Sequence, residues 1–144
     1  MEQTDNTTSR IFDVLSDICA LCPKRHNARV AAAVVYKRKL VAIGTNNGRS
    51  DPWQLRFSSG PDNIWLHAEI QAIKRAHTRL GAKKLAKSSL YVCRLIESPD
   101  KKTFSRALAK PCKGCQSAID TFGLRRVTYT YDATNFSRVI NTKV

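Results

Sequence analysis

The stretch "IWLHAEIQAIKRA", residues 64–76, opens an apolar helical pattern with a histidine and a glutamate two positions apart. Inside a regular helix, side chains so spaced point about 200° away from each other, so His67 and Glu69 can share a site only if His67 precedes the first turn. Non-helical backbone at His67 lets the pair converge. Ile70, Ile73, His77 and Leu80 then follow at helical spacing, and Gly81 supplies a C-cap.

Before this segment, Ile11, Val14, Leu15, Ile18, Cys19 and Cys22 recur at three and four residues, which predicts an amphipathic helix over residues 9–22, ended by Pro23. Apolar runs at 29–36 and 40–43, joined by a charged tip at 37–39, predict a tight β-hairpin. The stretch "NNGRSDPWQLRFSSGPDN", residues 46–63, has no sustained period and reads as a long loop of the kind that often carries function.

After the helix, "SSLYVCRLIE" at 88–97 reads as a strand buried on both faces, followed by a basic loop over 98–110. The stretch "CKGCQSAIDTFG", 112–123, is predicted to be a short helix stopped at Gly123, and "RRVTYTY", 125–131, a strand. The end of the chain has room for one more small strand, 136–140. Strands alternating with helices after an antiparallel hairpin predict an α/β fold with a mixed sheet.

A length of 144 residues suits one core, so residues 1–144 are read as a single domain. The polar, acidic start lacks the basic flank and apolar run of a signal peptide, and no stretch approaches membrane-spanning length. The expectation is a cytoplasmic protein whose five cysteines are metal ligands and core residues rather than disulfides. Net charge is +14, from 25 Lys plus Arg against 11 Asp plus Glu, which favours anionic substrates or partners. The cationic clusters, among them Lys37 to Lys39 and Arg125 with Arg126, are either solvated turns or a phosphate-binding surface.

Cys112 and Cys115 stand three apart in the first turn after Pro111, near the positive end of the helix dipole, where thiolates are favoured. A redox pair or a zinc ribbon completed by Cys19 and Cys22 would also use such a spacing, but neither employs His67 and Glu69. Three ligands, His67, Cys112 and Cys115, would leave one tetrahedral position open on a zinc ion, the arrangement of a catalytic site; a structural zinc with an incidental glutamate is the rival. Glu69, unligated and beside a zinc-activated water, would shuttle its proton.

His67-Ala68-Glu69 followed by Pro111-Cys112-Lys113-Gly114-Cys115 resembles the H-x-E and P-C-x-x-C signature of the cytidine and deoxycytidylate deaminase superfamily, over roughly residues 30–131. The resemblance implies a three-layer α/β/α sandwich with a mixed five-stranded sheet. It implies Zn²⁺ as cofactor and hydrolytic loss of an exocyclic amine, with zinc hydroxide attacking the ring carbon and Glu69 protonating the ring nitrogen. It also implies contacts from the Ala68 backbone to the base carbonyl and from Asn46 to the sugar, and a homo-oligomer whose subunits complete one another's sites.

The segment "HAEIQAI" is similar to the H-A-E-x-N-A-I of deoxycytidylate deaminases, with Gln71 in place of the asparagine. His67 as first ligand points away from free cytidine deaminases, which usually use cysteine, whereas the short C-terminus is similar to theirs. The expected substrate is a free cytosine nucleotide or nucleoside, deoxycytidylate first; the alternative is cytosine or adenine in single-stranded DNA or RNA. A catalytically silent nucleic-acid-binding module stapled by zinc is the reading from another class. Trp53, Phe57 and Trp65 with Arg49 and Arg56 either stack a base and hold a phosphate or pack an oligomer interface. Cys19, Cys22 and His26 read as core cysteines and a surface histidine, with half of a second metal site as their alternative, and His77 reads as a core-edge histidine.

Overall fold

A computed structural model describes residues 6–22, 29–58, 65–97, 99 and 103–131, with the backbone of 138–141. The helix α1 spans Asn6–Leu21 and is followed by β1, Arg29–Tyr36, and β2, Lys39–Thr45. Then come α2 (Pro52–Phe57), α3 (Ala68–Leu80), α4 (Ala82–Leu85), β3 (Ser89–Glu97) and β4 (Phe104–Ala107). The chain closes with α5 (Lys113–Phe122), β5 (Arg126–Tyr129) and β6 (Arg138–Asn141).

Five strands form a continuous path in the order β2-β1-β3-β5-β6, and the sheet is mixed because β3 and β5 run parallel while the other pairs are antiparallel. The sheet has a sixth strand beyond the expected five. β3 is long enough to pair its first half with β5 and its second half with β4. The sequence "FSRA" of β4 is short and has no β-branched residue, which is why residues 98–110 read as loop alone.

Alternation along β1 builds three layers. Ala31, Ala33 and Val35 face Phe12, Leu15 and Cys19 of α1, while Ala32 and Val34 face the cluster that contains Ile70 and Ile73 of α3 and Ile119 of α5. Each large apolar side chain fully withdrawn from water, such as Phe12, contributes roughly 1.5–3 kcal/mol. The buried face of α1 uses Phe12, and Val14, expected on the apolar stripe, stays 43% exposed.

The β1–β2 connection is a two-residue turn in which both Lys37 (φ 50) and Arg38 (φ 64) have positive φ, a conformation that bulky residues seldom adopt. At the outer side of β2, Arg75 of α3 donates to the Ile43 carbonyl at 2.8 Å, and Arg79 donates to the Val41 carbonyl.

One departure from the sequence reading and one close backbone contact shape the site. The expected loop over 46–63 contains the helix α2, capped by the Asp51 side chain, which accepts from the Trp53 N–H, and entered through Pro52. Gly44 of β2 lies directly against α3: a Cβ there would collide with the Ala68 carbonyl oxygen and sit 2.6 Å from the Ala72 nitrogen. The N-terminus of α3 therefore rests on the sheet backbone.

Candidate metal centre

His67 is the N-cap of α3, with φ −80 and ψ 153, so its backbone is extended as the convergence of His67 and Glu69 requires. It is held there from several sides. Its carbonyl accepts the first helical bond, from Gln71 N–H at 3.1 Å, and its own N–H donates to Gln54 Oε1 of α2 at 3.0 Å. The preceding residue is tied to the 47–49 segment, since Asn47 N–H donates to the Leu66 carbonyl and Leu66 N–H to that of Arg49.

Cys112 is likewise an N-cap, with φ −70 and ψ 172, and its Sγ accepts the Cys115 N–H at 3.4 Å. Gly123, at φ 66, ends α5 in the left-handed region that glycine favours, with Leu124 N–H donating to the Ile119 carbonyl. Both helices thus direct their N-terminal turns at one point. His67 Nδ1 lies 3.5 Å from Cys112 Sγ and 3.4 Å from Cys115 Sγ, and the donor atoms of all three residues lie within 4.8 Å of one another.

The electrostatics of this cluster suit a divalent cation. Cys112 is pushed down to about 4, chiefly by its hydrogen bond from Cys115 and also by His67, against the opposing effect of burial. Cys115 is pushed well up, first by that same pairing and then by burial and the nearby Glu69. His67 is raised by its bond to Cys112, with desolvation opposing. One thiolate is therefore stable in the cluster, and ionising the second calls for added positive charge. Two sulfurs and an imidazole in this arrangement fit zinc.

Glu69, in the first turn of α3, is buried at 6% exposure. Burial is the main cause of its raised pKa, with the charge on His67 and a bond to Cys115 pulling the other way. Burial thus favours the protonated form of this carboxyl more than that of an exposed one. Ala68 is fully buried at the first helical position, where the backbone N–H has no acceptor within the helix. Asn46, at the end of β2, turns its Oδ1 to the Val30 N–H at 3.0 Å.

The structure brings His67, Glu69, Cys112 and Cys115 together. Trp53 and Arg56 it places in an aromatic cluster that joins α2, α3 and α5. Trp53 stacks on Phe122 at 5.0 Å between centroids with planes 11° apart, and meets the His77 ring edge-on at 5.7 Å. The exposed Arg56 lies over Phe57 at 4.8 Å. Phe57 itself is core, and Trp65 forms an isolated bridge with Ser50. Cys19 is buried against Cys93, whose carbonyl accepts from it at 3.4 Å; His26 lies outside the described residues. Among the described residues, His67, Cys112 and Cys115 form the metal-competent group.

One residue that shapes the site, Gln54, escaped the sequence reading, and so did the packing roles of Gln71 and Gly114. Gln54 is fully buried and orients His67; its only sequence signal was Asp51-Pro52, a helix-start pair inside an apparent loop. Gln71 accepts the Thr45 N–H at 2.9 Å and so fixes α3 to β2. Gly114, between the two cysteines, packs so closely on α2 that a Cβ would lie 2.6 Å from the Phe57 carbonyl oxygen. Through Gln54 and Phe57, α2 braces both ligand-bearing segments.

A family model for the cytidine and deoxycytidylate deaminase zinc-binding region matches residues 5–131. The chain is similar to the dCMP deaminase of the cyanophage S-TIM5 in complex with dCMP and dUMP, with a TM-score of 0.58, 18% identity, and 89% of this chain and 83% of that chain covered. It is also similar to cytidine deaminase from Burkholderia pseudomallei, with a TM-score of 0.57, 15% identity, and coverage of 93% and 91%. At these identities the likeness shows the fold. No curated protein matches the chain, and none of its described helices is long and apolar enough to cross a membrane.

Proposed function

Since the chain belongs to the cytidine and deoxycytidylate deaminase zinc-binding family, a class of zinc-dependent hydrolases, we propose that it hydrolytically deaminates a free cytosine nucleotide or nucleoside, converting deoxycytidylate to deoxyuridylate by preference. The observation that carries this reading is the buried Glu69 carboxyl in the first turn of the helix that His67 caps, beside the Cys112–Cys115 pair.

In this reading His67 Nδ1 and the two sulfurs hold zinc. What zinc supplies when bound is Lewis acidity, which makes water reactive near neutral pH. Glu69 takes a proton from water and delivers it to the ring nitrogen as the water oxygen bonds to the ring carbon. It then carries the proton of that new hydroxyl to the amine, whose bond to the carbon breaks to release ammonia and leave a carbonyl. The Ala68 N–H donates to the base carbonyl, and the Asn46 side chain meets the sugar. Trp53 acts through its stack on Phe122, which sets α2 in place, and Arg56, exposed beside it, is offered to the substrate's phosphate. The same reading takes residues 1–144 as a single domain that works as a cytoplasmic homo-oligomer.

The test is ammonia release from zinc-loaded protein incubated separately with deoxycytidylate, cytidine, deoxycytidine, adenine and guanine nucleotides, and a single-stranded oligonucleotide. Deoxycytidylate is expected to react fastest. Conversion of the oligonucleotide alone would overturn the reading.

A further inference from the structure

A second concave site lies at the other end of the sheet. Lys37 and Arg38 from the β1–β2 turn, Lys87 ahead of β3, and Arg125 and Arg126 at the start of β5 line one cavity of about 440 Å³. Strand register explains how segments so far apart in sequence meet. Val35 pairs with Ser89, Ser89 pairs with Arg126, and Arg125 N–H donates to the Ser88 carbonyl at 2.8 Å, so the ends of three adjacent strands come together. All five cations are exposed, no acidic residue among the described residues lines the cavity, and none of the five is in an ion pair among them. Tyr91 and two small hydroxyl residues make up most of the remaining wall.

Like charges gathered without counter-charge repel one another and raise the local potential, a cost that a bound polyanion removes. The turn adds to that cost, because Lys37 and Arg38 both occupy positive φ where Asn-Gly would sit without strain. The lining is mainly cationic and hydroxylic, with Tyr91 its one aromatic ring among the described residues, which suits phosphate and sugar before bases.

We infer that this face binds the phosphodiester backbone of single-stranded nucleic acid, without reading its sequence. A net charge of +14 on 144 residues far exceeds the needs of a mononucleotide and favours a long polyanion. The site is distinct from the metal centre: α5, ten residues and so about 15 Å long, starts at the cysteines and ends just before Arg125. Backbone bound here holds the protein on a strand and does not present a base to Glu69.

The experiment measures binding of a fluorescently labelled oligothymidylate of about twenty nucleotides to the full-length zinc-loaded protein by anisotropy across a salt series. Wild type, Arg125→Gln/Arg126→Gln and Lys110→Gln/Lys113→Gln are compared; the last pair removes the same charge near the cysteines, and both residues are exposed. Circular dichroism and melting confirm that each variant is folded. The Arg125/Arg126 variant is expected to bind on the order of tenfold more weakly, with its slope of log affinity against log salt shallower by about 1.4, or about 0.7 per lost phosphate contact. The Lys110/Lys113 variant is expected to stay within about twofold of wild type. The proposal is overturned if the Arg125/Arg126 variant binds like wild type, if the Lys110/Lys113 variant loses as much, or if a nucleoside triphosphate binds this face and the oligonucleotide does not.

Discussion

Gln54 Oε1 accepts the backbone N–H of His67 at 3.0 Å, which ties the middle of α2 to the residue that caps α3. A leucine in its place would leave that half-buried donor without its acceptor, at a cost of about 1–3 kcal/mol. Gln54→Leu is expected to lower the melting temperature and weaken zinc affinity by roughly 10- to 100-fold, the usual range for a supporting residue of a metal ligand. Gln54→Glu keeps an acceptor and is expected to recover part of the affinity. Competition with a chromogenic chelator measures both.

Glu69→Gln preserves shape and removes the proton carrier. Zinc content and fold are expected to match wild type while turnover falls by roughly 10²- to 10⁴-fold. A variant that keeps full ammonia release would refute the proton-shuttle role.

Zinc loading is expected to release at least one proton near pH 7, because the raised Cys115 thiol must ionise to become a ligand while the lowered Cys112 already has, and any proton held by the raised His67 imidazole must leave as well. Affinity should therefore climb as pH rises through neutrality. Calorimetric titration in buffers of different ionisation enthalpy counts the protons, and chelation should lower the melting temperature together with activity.

Gly44→Ala should push the first turn of α3 off the sheet, since the new methyl group meets backbone rather than a yielding side chain. A loss of about 1–3 kcal/mol is expected, with turnover reduced because His67, Ala68 and Glu69 move together. Denaturant melts and steady-state kinetics on the same sample test both effects.

Asp51 caps α2 and pairs with Lys74 at 2.7 Å. Burial pushes its carboxyl up, but the bond and charge of Lys74 and the Trp53 N–H outweigh this and leave it below the ordinary value. Its stabilisation is full above the unfolded-state pKa, near 3.9, and is lost as pH falls through the lower folded value. Asp51→Asn keeps a capping oxygen, so the stability gap to wild type should be at most about 1 kcal/mol at pH 7 and should close on acidification.

The metal-binding residues were legible because each cue is local. His67 and Cys112 both stand at helix starts, where the residue before the first turn and those just inside it face the same way, and such starts are marked locally by apolar spacing together with Pro111 and the close H-x-E spacing. The α1 helix, the hairpin, β3 and α5 were legible for the same reason: their periodicity reflects burial on a defined face. The brace was not. Gln54 matters through a contact with a residue thirteen positions away, and α2 is too short for its apolar residues to establish a period. Trp53 illustrates the same limit, for an aromatic ring in a polar stretch serves equally well to stack a ligand or to pack on Phe122, and only the neighbouring helices reveal the stack.

The guanidinium groups of Arg75 and Arg79 occupy carbonyls along β2, the outermost strand of the path. A foreign strand approaching that flank would have to displace two cations before it found an acceptor. Lateral growth of the sheet, the opening step of strand exchange and of fibril formation, is therefore resisted there by two side chains of α3.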